Sequence, residues 1–182
     1  MKSKFLTTTC MLLLGAAPAF AQDSGTAPGV ANGQKFGAWT VECQAIATNN
    51  TVCVLAQQLL RTSDRAFLAQ VMAFQSAGGA QTYFSAQVPV GAYLPAGFAM
   101  RPASSDAIVE LTWQSCTQTL CETLAQITPE TLDALSANNE TVIASYRPSL
   151  QSDPLIFNFS MVGAKEGLAA LLAANTTSGT GE

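Results

Sequence analysis

Apolar and polar residues alternate along most of this chain with a period of two, and the stretch from Gln81 to Arg101 shows it best. Phe84, Ala86, Val88 and Val90 fall on one side of an extended chain while Tyr83, Ser85 and Gln87 fall on the other, the pattern of a half-buried strand. Gly91 and the Leu94-Pro95-Ala96-Gly97 run interrupt it, because proline presets φ at the second position of a type I turn and glycine is favoured at the fourth. Phe98 and Met100 begin the return strand. Trp39, Val41 and Cys43 alternate with Thr40 and Glu42 in the same way. The run Val52 to Leu60 places Cys53, Leu55 and Leu59 on one face, and Val109, Leu111 and Trp113 alternate with Glu110, Thr112 and Gln114. Phe67 to Phe74 is apolar on both sides, which predicts a central strand or a barrel wall. Thr141 to Tyr146 and Leu155 to Met161 complete the series.

Two helices are predicted. Thr128 stands at an N-cap position, Pro129 at the first helical position and Glu130 in the first turn, with Ile127 placed to staple against Leu132. Leu132 and Leu135 face inward, and Asn138-Asn139 ends the helix. Leu168, Leu171 and Leu172 mark a short terminal helix. Eight or nine short strands with turns about every ten residues indicate an all-β sandwich, or alternatively a small closed β-barrel, with one or two short helices. The expected organisation is a signal peptide over 1–21, a flexible leader over 22–35, a single domain over 36–174 and a disordered tail over 175–182.

The N-terminal assignment rests on Lys2 and Lys4, the apolar run Met11 to Ala17 and the Ala19-Phe20-Ala21 cleavage pattern, which together read as a secretory signal. The apolar run is too short to span a bilayer, so no membrane span is expected after cleavage. The mature chain would hold six basic and twelve acidic residues. That balance repels phosphate backbones and anionic headgroups, which excludes nucleic acid and bare membrane surface as favoured partners.

Cys43, Cys53, Cys116 and Cys121 remain after cleavage. An even number in an exported chain argues for disulfides, and four cysteines allow three connectivities. Proximity favours Cys43 with Cys53 and Cys116 with Cys121, each closing a hairpin. A Cys₄ zinc site is the competing reading, disfavoured because zinc ribbons bring closely spaced cysteine hooks. No metal or cofactor is expected.

The chain contains no histidine, which removes Ser-His-Asp and Cys-His mechanisms and histidine ligation. The mature lysines, Lys35 and Lys165, border flexible or terminal segments, so a Ser-Lys dyad is not supported. No catalytic residue is assigned. Convergence of Glu42, Asp106, Glu110 and Glu122 would be needed for carboxylate-pair hydrolysis. The best candidate contact surface is the loop Tyr93, Leu94 and Pro95 together with Arg101, since large apolar side chains on a loop between rigid strands are where binding residues tend to sit.

The motif Phe36-Gly37-x-Trp39-x-Val41-x-Cys43, the second cysteine Cys53, the run Val88 to Gly97 and the pair Cys116 and Cys121 together resemble the invasion-associated locus B family of bacterial exported proteins. The resemblance covers Phe36 to about Leu172. It implies an immunoglobulin-like β-sandwich, a location in the periplasm, at the outer membrane or outside the cell, and in pathogens a contribution to entering host cells. It supplies no catalytic residues. The expected role is a non-enzymatic, disulfide-stabilised interaction module with an envelope or extracellular protein or glycan as partner. The alternatives are a periplasmic hydrolase using paired carboxylates and an envelope chaperone acting through an open sheet edge.

Overall fold

Most of the alternating segments pair with a chain neighbour in a hairpin, and the pairings of Thr82–Pro89 with Leu120–Ile127 and of Phe98–Pro102 with Thr141–Tyr146 join those hairpins into a sheet. The computed structural model describes residues 29–48, 50–137 and 141–178. Its strands are β1 (Lys35–Phe36), β2 (Trp39–Ala47), β3 (Asn50–Leu60), β4 (Phe67–Gln75), β5 (Thr82–Pro89), β6 (Phe98–Pro102), β7 (Val109–Cys116), β8 (Leu120–Ile127), β9 (Thr141–Tyr146) and β10 (Leu155–Ser160). Two helices, α1 (Pro129–Ser136) and α2 (Ala164–Ser178), accompany them. The strands form one ten-stranded sheet in the order β1-β2-β3-β4-β5-β8-β7-β6-β9-β10, and each pairing is antiparallel.

β7 is where the sheet turns its corner. Its first half, through Leu111, pairs with β6, whereas Thr112 to Cys116 pair with β8 across a register shift between Trp113 and Ser115. A bulge of this kind bends a strand and increases its twist. The ten strands therefore curl into a half-barrel, and β10 returns over the inner face of β3. There Gln57 Nε2 donates to Ser160 O at 3.1 Å, and Ser160 N–H donates to Gln57 Oε1 at 3.0 Å. Nearby, the Tyr146 hydroxyl donates to Leu68 O at 3.1 Å, tying β9 to β4.

The core lies inside this curl. Trp39 is fully buried and meets Phe84 and Phe159 edge-on, with ring centroids 6.1 and 6.2 Å away, so one side chain joins β2, β5 and β10. Replacing such a tryptophan by alanine costs about 3 to 5 kcal/mol. Phe98, Tyr146 and Phe157 form a second aromatic cluster, centroids 6.2 to 6.3 Å apart. α2 fills the side that the strands leave uncovered. Leu168 and Leu171 are buried there, and a Cβ on Gly167 would lie 2.7 Å from the Leu55 side chain.

α1 begins as its sequence predicts. Thr128 Oγ1 accepts from Thr131 N–H at 3.2 Å, Pro129 opens the first turn and Leu135 is buried. The predicted turn at Leu94 to Gly97 also forms: Gly97 N–H donates to Leu94 O at 3.0 Å with Gly97 at φ 73°.

The pairings join all ten strands in one curled sheet accompanied by two helices, all-β as expected; by themselves they do not show the two-sheet immunoglobulin-like sandwich implied by the resemblance. The alternative of a closed barrel is not reached either, because no ladder joins β1 to β10 among the described residues. At the start of the chain, 29–35 is built onto β2 instead of belonging to a flexible leader. Val30 is buried, Asn32 Oδ1 accepts from Cys43 N–H at 2.9 Å, and Val41 N–H donates to Gln34 O at 2.8 Å. At the other end, α2 continues to Ser178, into the expected tail. The predicted signal peptide, residues 22–28 and the Asn138-Asn139 helix stop lie outside the described residues. No helix among the described residues is long and apolar enough to cross a membrane.

Candidate binding surfaces

Successive hairpins put the β3–β4, β5–β6, β7–β8 and β9–β10 connections at one end of the half-barrel, away from the helices. At that end the curl leaves a slot between β3 and β10. The β2–β3 ladder runs no further than Thr40 opposite Ala56, so Gln58 to Leu60 have no β2 residue beside them. β10 is last in the strand order, and its outer edge has no partner strand among the described residues. Between them lies a cavity of about 630 Å³, bordered by Gln58, Leu60, Arg61, Arg65, Ile156 and Asn158 among others.

The β3–β4 turn aims its two arginines at the mouth of this slot. Arg61 N–H donates to Ala66 O at 2.8 Å and Arg65 N–H to Arg61 O at 2.9 Å, while Asp64 Oδ1 accepts from Ala66 N–H at 3.1 Å. Arg65 adopts φ 60° to close the turn. Arg61 Nη1 lies 3.2 Å from Asp64 Oδ2 in an exposed pair, which contributes little to stability by itself. Burial pushes the Tyr146 hydroxyl above its ordinary value, an effect that the nearby Arg61 charge opposes.

A second concavity, of about 670 Å³, lies on the outer face of the sheet and is bordered by Glu42, Gln70, Gln87 and Glu122 among others. Gln70 Nε2 donates to Glu42 Oε2 at 2.8 Å, and Ser85 Oγ donates to Glu122 Oε1 at 2.9 Å. Two of the four carboxylates named from the sequence thus share a groove. They sit on β2 and β8, four strand spacings apart in the sheet order, or about 19 Å at about 4.8 Å per spacing. Each carboxylate is engaged by a neighbouring polar side chain, Glu42 by Gln70 and Glu122 by Ser85. Asp106 lies elsewhere, 3.9 Å from Arg101 Nη1, and Glu110 is exposed opposite Ala99.

The predicted contact loop is only partly assembled. Leu94 and Pro95 are exposed and Tyr93 is half-buried, its N–H donating to Arg147 O at 2.8 Å. Arg101 stands towards the far end of β6, where its Nη1 donates to Pro102 O at 3.2 Å and to Ser105 O at 3.0 Å. The loop and the arginine therefore belong to opposite ends of one strand. Sequence reasoning singles out neither Arg61 nor Arg65. The available signal was that two of the eight basic residues fall within five positions.

The cysteines form Cys43–Cys53 and Cys116–Cys121 bridges, each between directly opposed residues with Cα atoms 4.0 Å apart. Thiolates for a Cys₄ zinc site are thereby consumed. Among the described residues no group of three or more His, Cys, Asp or Glu side chains could hold a metal ion.

The sequence profile of the family described as Invasion associated locus B (IalB) protein matches residues 39–172. Among solved structures, the crystal structure of invasion associated protein B from Bartonella henselae is similar with a TM-score of 0.65 at 17% identity, covering 79% of this chain and 97% of that one. No curated protein matches the chain. Since the profile takes in most of the sequence, from the buried Trp39 through both disulfide hairpins to α2, this chain belongs to the invasion-associated locus B family.

Proposed function

We propose that this protein is a non-enzymatic interaction module of the periplasm or cell envelope, binding an envelope or extracellular protein or glycan, and in pathogens contributing to entering host cells. The observation that carries this reading is the pairing of the four mature cysteines into two hairpin bridges, since such bonds persist where the surroundings are oxidising. The histidine-free composition supports contact over catalysis. Fractionation followed by crosslinking in the intact envelope and mass spectrometry tests it. The expected result is a fully oxidised protein in the periplasmic or envelope fraction, with one reproducible partner. A cytoplasmic, thiol-bearing form, or repeated failure to recover a partner at native abundance, overturns it.

A second reading, an envelope chaperone that pairs client strands with an open sheet edge, is favoured by the unpartnered outer edge of β10. Suppression of client aggregation by the purified protein would distinguish it from the first.

A further inference from the structure

We infer that the slot between β3 and β10 binds an extended, mainly apolar peptide segment of a partner protein, which adds to β10 as an eleventh strand and sets an acidic side chain against Arg61 and Arg65. This assignment rests on the reading of the protein as an interaction module and names the kind of partner that the module takes.

The first ground is hydrogen bonding. Ser160 directs both its N–H and its C=O to the Gln57 side chain, at 3.0 and 3.1 Å, and not to Thr141 opposite it on β9. Peptide groups on an antiparallel strand alternate in direction. Asn158 and Ile156, two and four residues earlier, therefore present their N–H and C=O groups to that same outer side, along the slot. The Gln57 carboxamide is chemically a peptide group. It already makes at Ser160 the pair of bonds that an incoming strand would make at Asn158 and Ile156.

The second ground is shape. The slot is shut at the Ser160 end, where Ala38 N–H donates to Val162 O at 3.0 Å, and its lining runs from Asn158 to Leu155. Leu59, Leu60, Leu68 and Phe157 supply apolar lining, and Ile156 is 66% exposed beside it. Solvated edges of this kind are usually blunted by lysine, proline or a bulge, and none of these is present in Leu155–Ser160.

Charge selects the occupant. Arg61 and Arg65 border the open end, and the slot-lining segments 58–62 and 155–158 carry no acidic residue. Asp64, which faces Arg61, is itself exposed and in an exposed pair, so an incoming carboxylate competes with it at small cost. Arg65 has no carboxylate partner among the described residues. An acidic, extended apolar segment is therefore matched and a basic one repelled.

Fluorescence anisotropy on the oxidised full-length mature protein tests this. The probes are labelled decapeptides of alternating valine and threonine with two glutamates or two lysines at one end, and a glutamate peptide N-methylated at alternate residues. The glutamate peptide should bind on the order of tenfold more tightly than the lysine peptide at low salt. N-methylation should abolish binding, and R61E/R65E should invert the charge preference. Asn158→Pro should abolish binding while leaving the unfolding midpoint within a few degrees, because proline on an unpaired edge removes a donor that β9 does not use. If that variant does not fold, the N-methylated peptide decides the question alone.

No binding, binding indifferent to N-methylation, or binding indifferent to charge reversal overturns the assignment. So does a concentration-dependent dimer in sedimentation that Asn158→Pro dissolves, since the edge would then belong to a second copy of this chain. If the peptides fail while Asn158→Pro keeps the envelope crosslinks of the wild type, only the slot is wrong. Peptide binding without any envelope partner defeats the broader reading alone.

Discussion

Gln57 on β3 and Ser160 on β10 exchange two hydrogen bonds across the interior, 3.0 and 3.1 Å long, although 103 residues separate them in sequence. Gln57→Ala should lose both and leave the Ser160 peptide group short of a partner in a half-buried position. The expected loss is about 1 to 2 kcal/mol, read as a lower urea midpoint, with hydrogen exchange accelerated first at Ser160. An unchanged midpoint would mean that water replaces the carboxamide without penalty.

Tyr146 gives stability a dependence on alkaline pH. Its hydroxyl lies above the ordinary value of about 10 through burial, with Arg61 opposing. A raised value in the folded state means that the contribution is fully present below about pH 10 and is lost as pH rises through the folded value. Tyr146→Phe removes the bond to Leu68 O and should cost about 1 kcal/mol near neutrality. The gap between variant and wild type should then narrow only as pH rises above about 10. A gap that stays constant over that range would count against the buried phenol.

Each disulfide closes a short loop, with sequence separations of 10 and 5 residues. The chain-entropy account assigns about 2 to 3 kcal/mol to each. Replacing Cys43 and Cys53 by serine should lower the melting temperature by about 5 to 10 °C. Because neither bridge joins the two arms of the curled sheet, far-ultraviolet circular dichroism should keep its β signal. Loss of that signal on mild reduction would show that the bridges hold more than their own hairpins.

Gly37 and Gly163 face each other where the slot is shut. A Cβ on Gly163 would lie 2.1 Å from Phe36 O, and one on Gly37 would lie 2.3 Å from Val162 O, with φ of 86° and 56°. Gly163→Ala should therefore cost at least about 2 kcal/mol, by steric overlap with backbone and by an unfavourable conformation together. Gly33→Ala, also at positive φ but in open space, isolates the conformational part. Equal losses in the two variants would remove the steric argument.

The hairpins were legible because their determinants are local. Alternation placed Trp39, Phe84 and Phe157 inward, the Thr128-Pro129 pair announced α1, and the Leu94 to Gly97 turn followed from proline and glycine. Sequence proximity also suggested which cysteine faces which. What could not be read is set by residues distant in sequence. Nothing local to β5 announces that it pairs with β8, or that β6 lies between β7 and β9. The segment around Val30 looked structureless because it offers a single apolar side chain among glycines and polar residues, and only β2 gives that side chain a place. Gln57 reads as an ordinary polar position until β10 is folded over it, and Arg61 and Arg65 mark a slot only after the sheet has curled.

The strand order has a consequence for the sequence of events in folding. β2, β3 and β4 each pair with the next strand along the chain, so this meander from β2 to β5 requires only small loops to close. The second edge of β6 must wait for β9, and α2 can cover the interior only after β10 has come back across it. The amino-terminal meander should thus gain exchange protection as an early unit, and the arm made of β6, β9 and β10 should be the last to lock and the first to open.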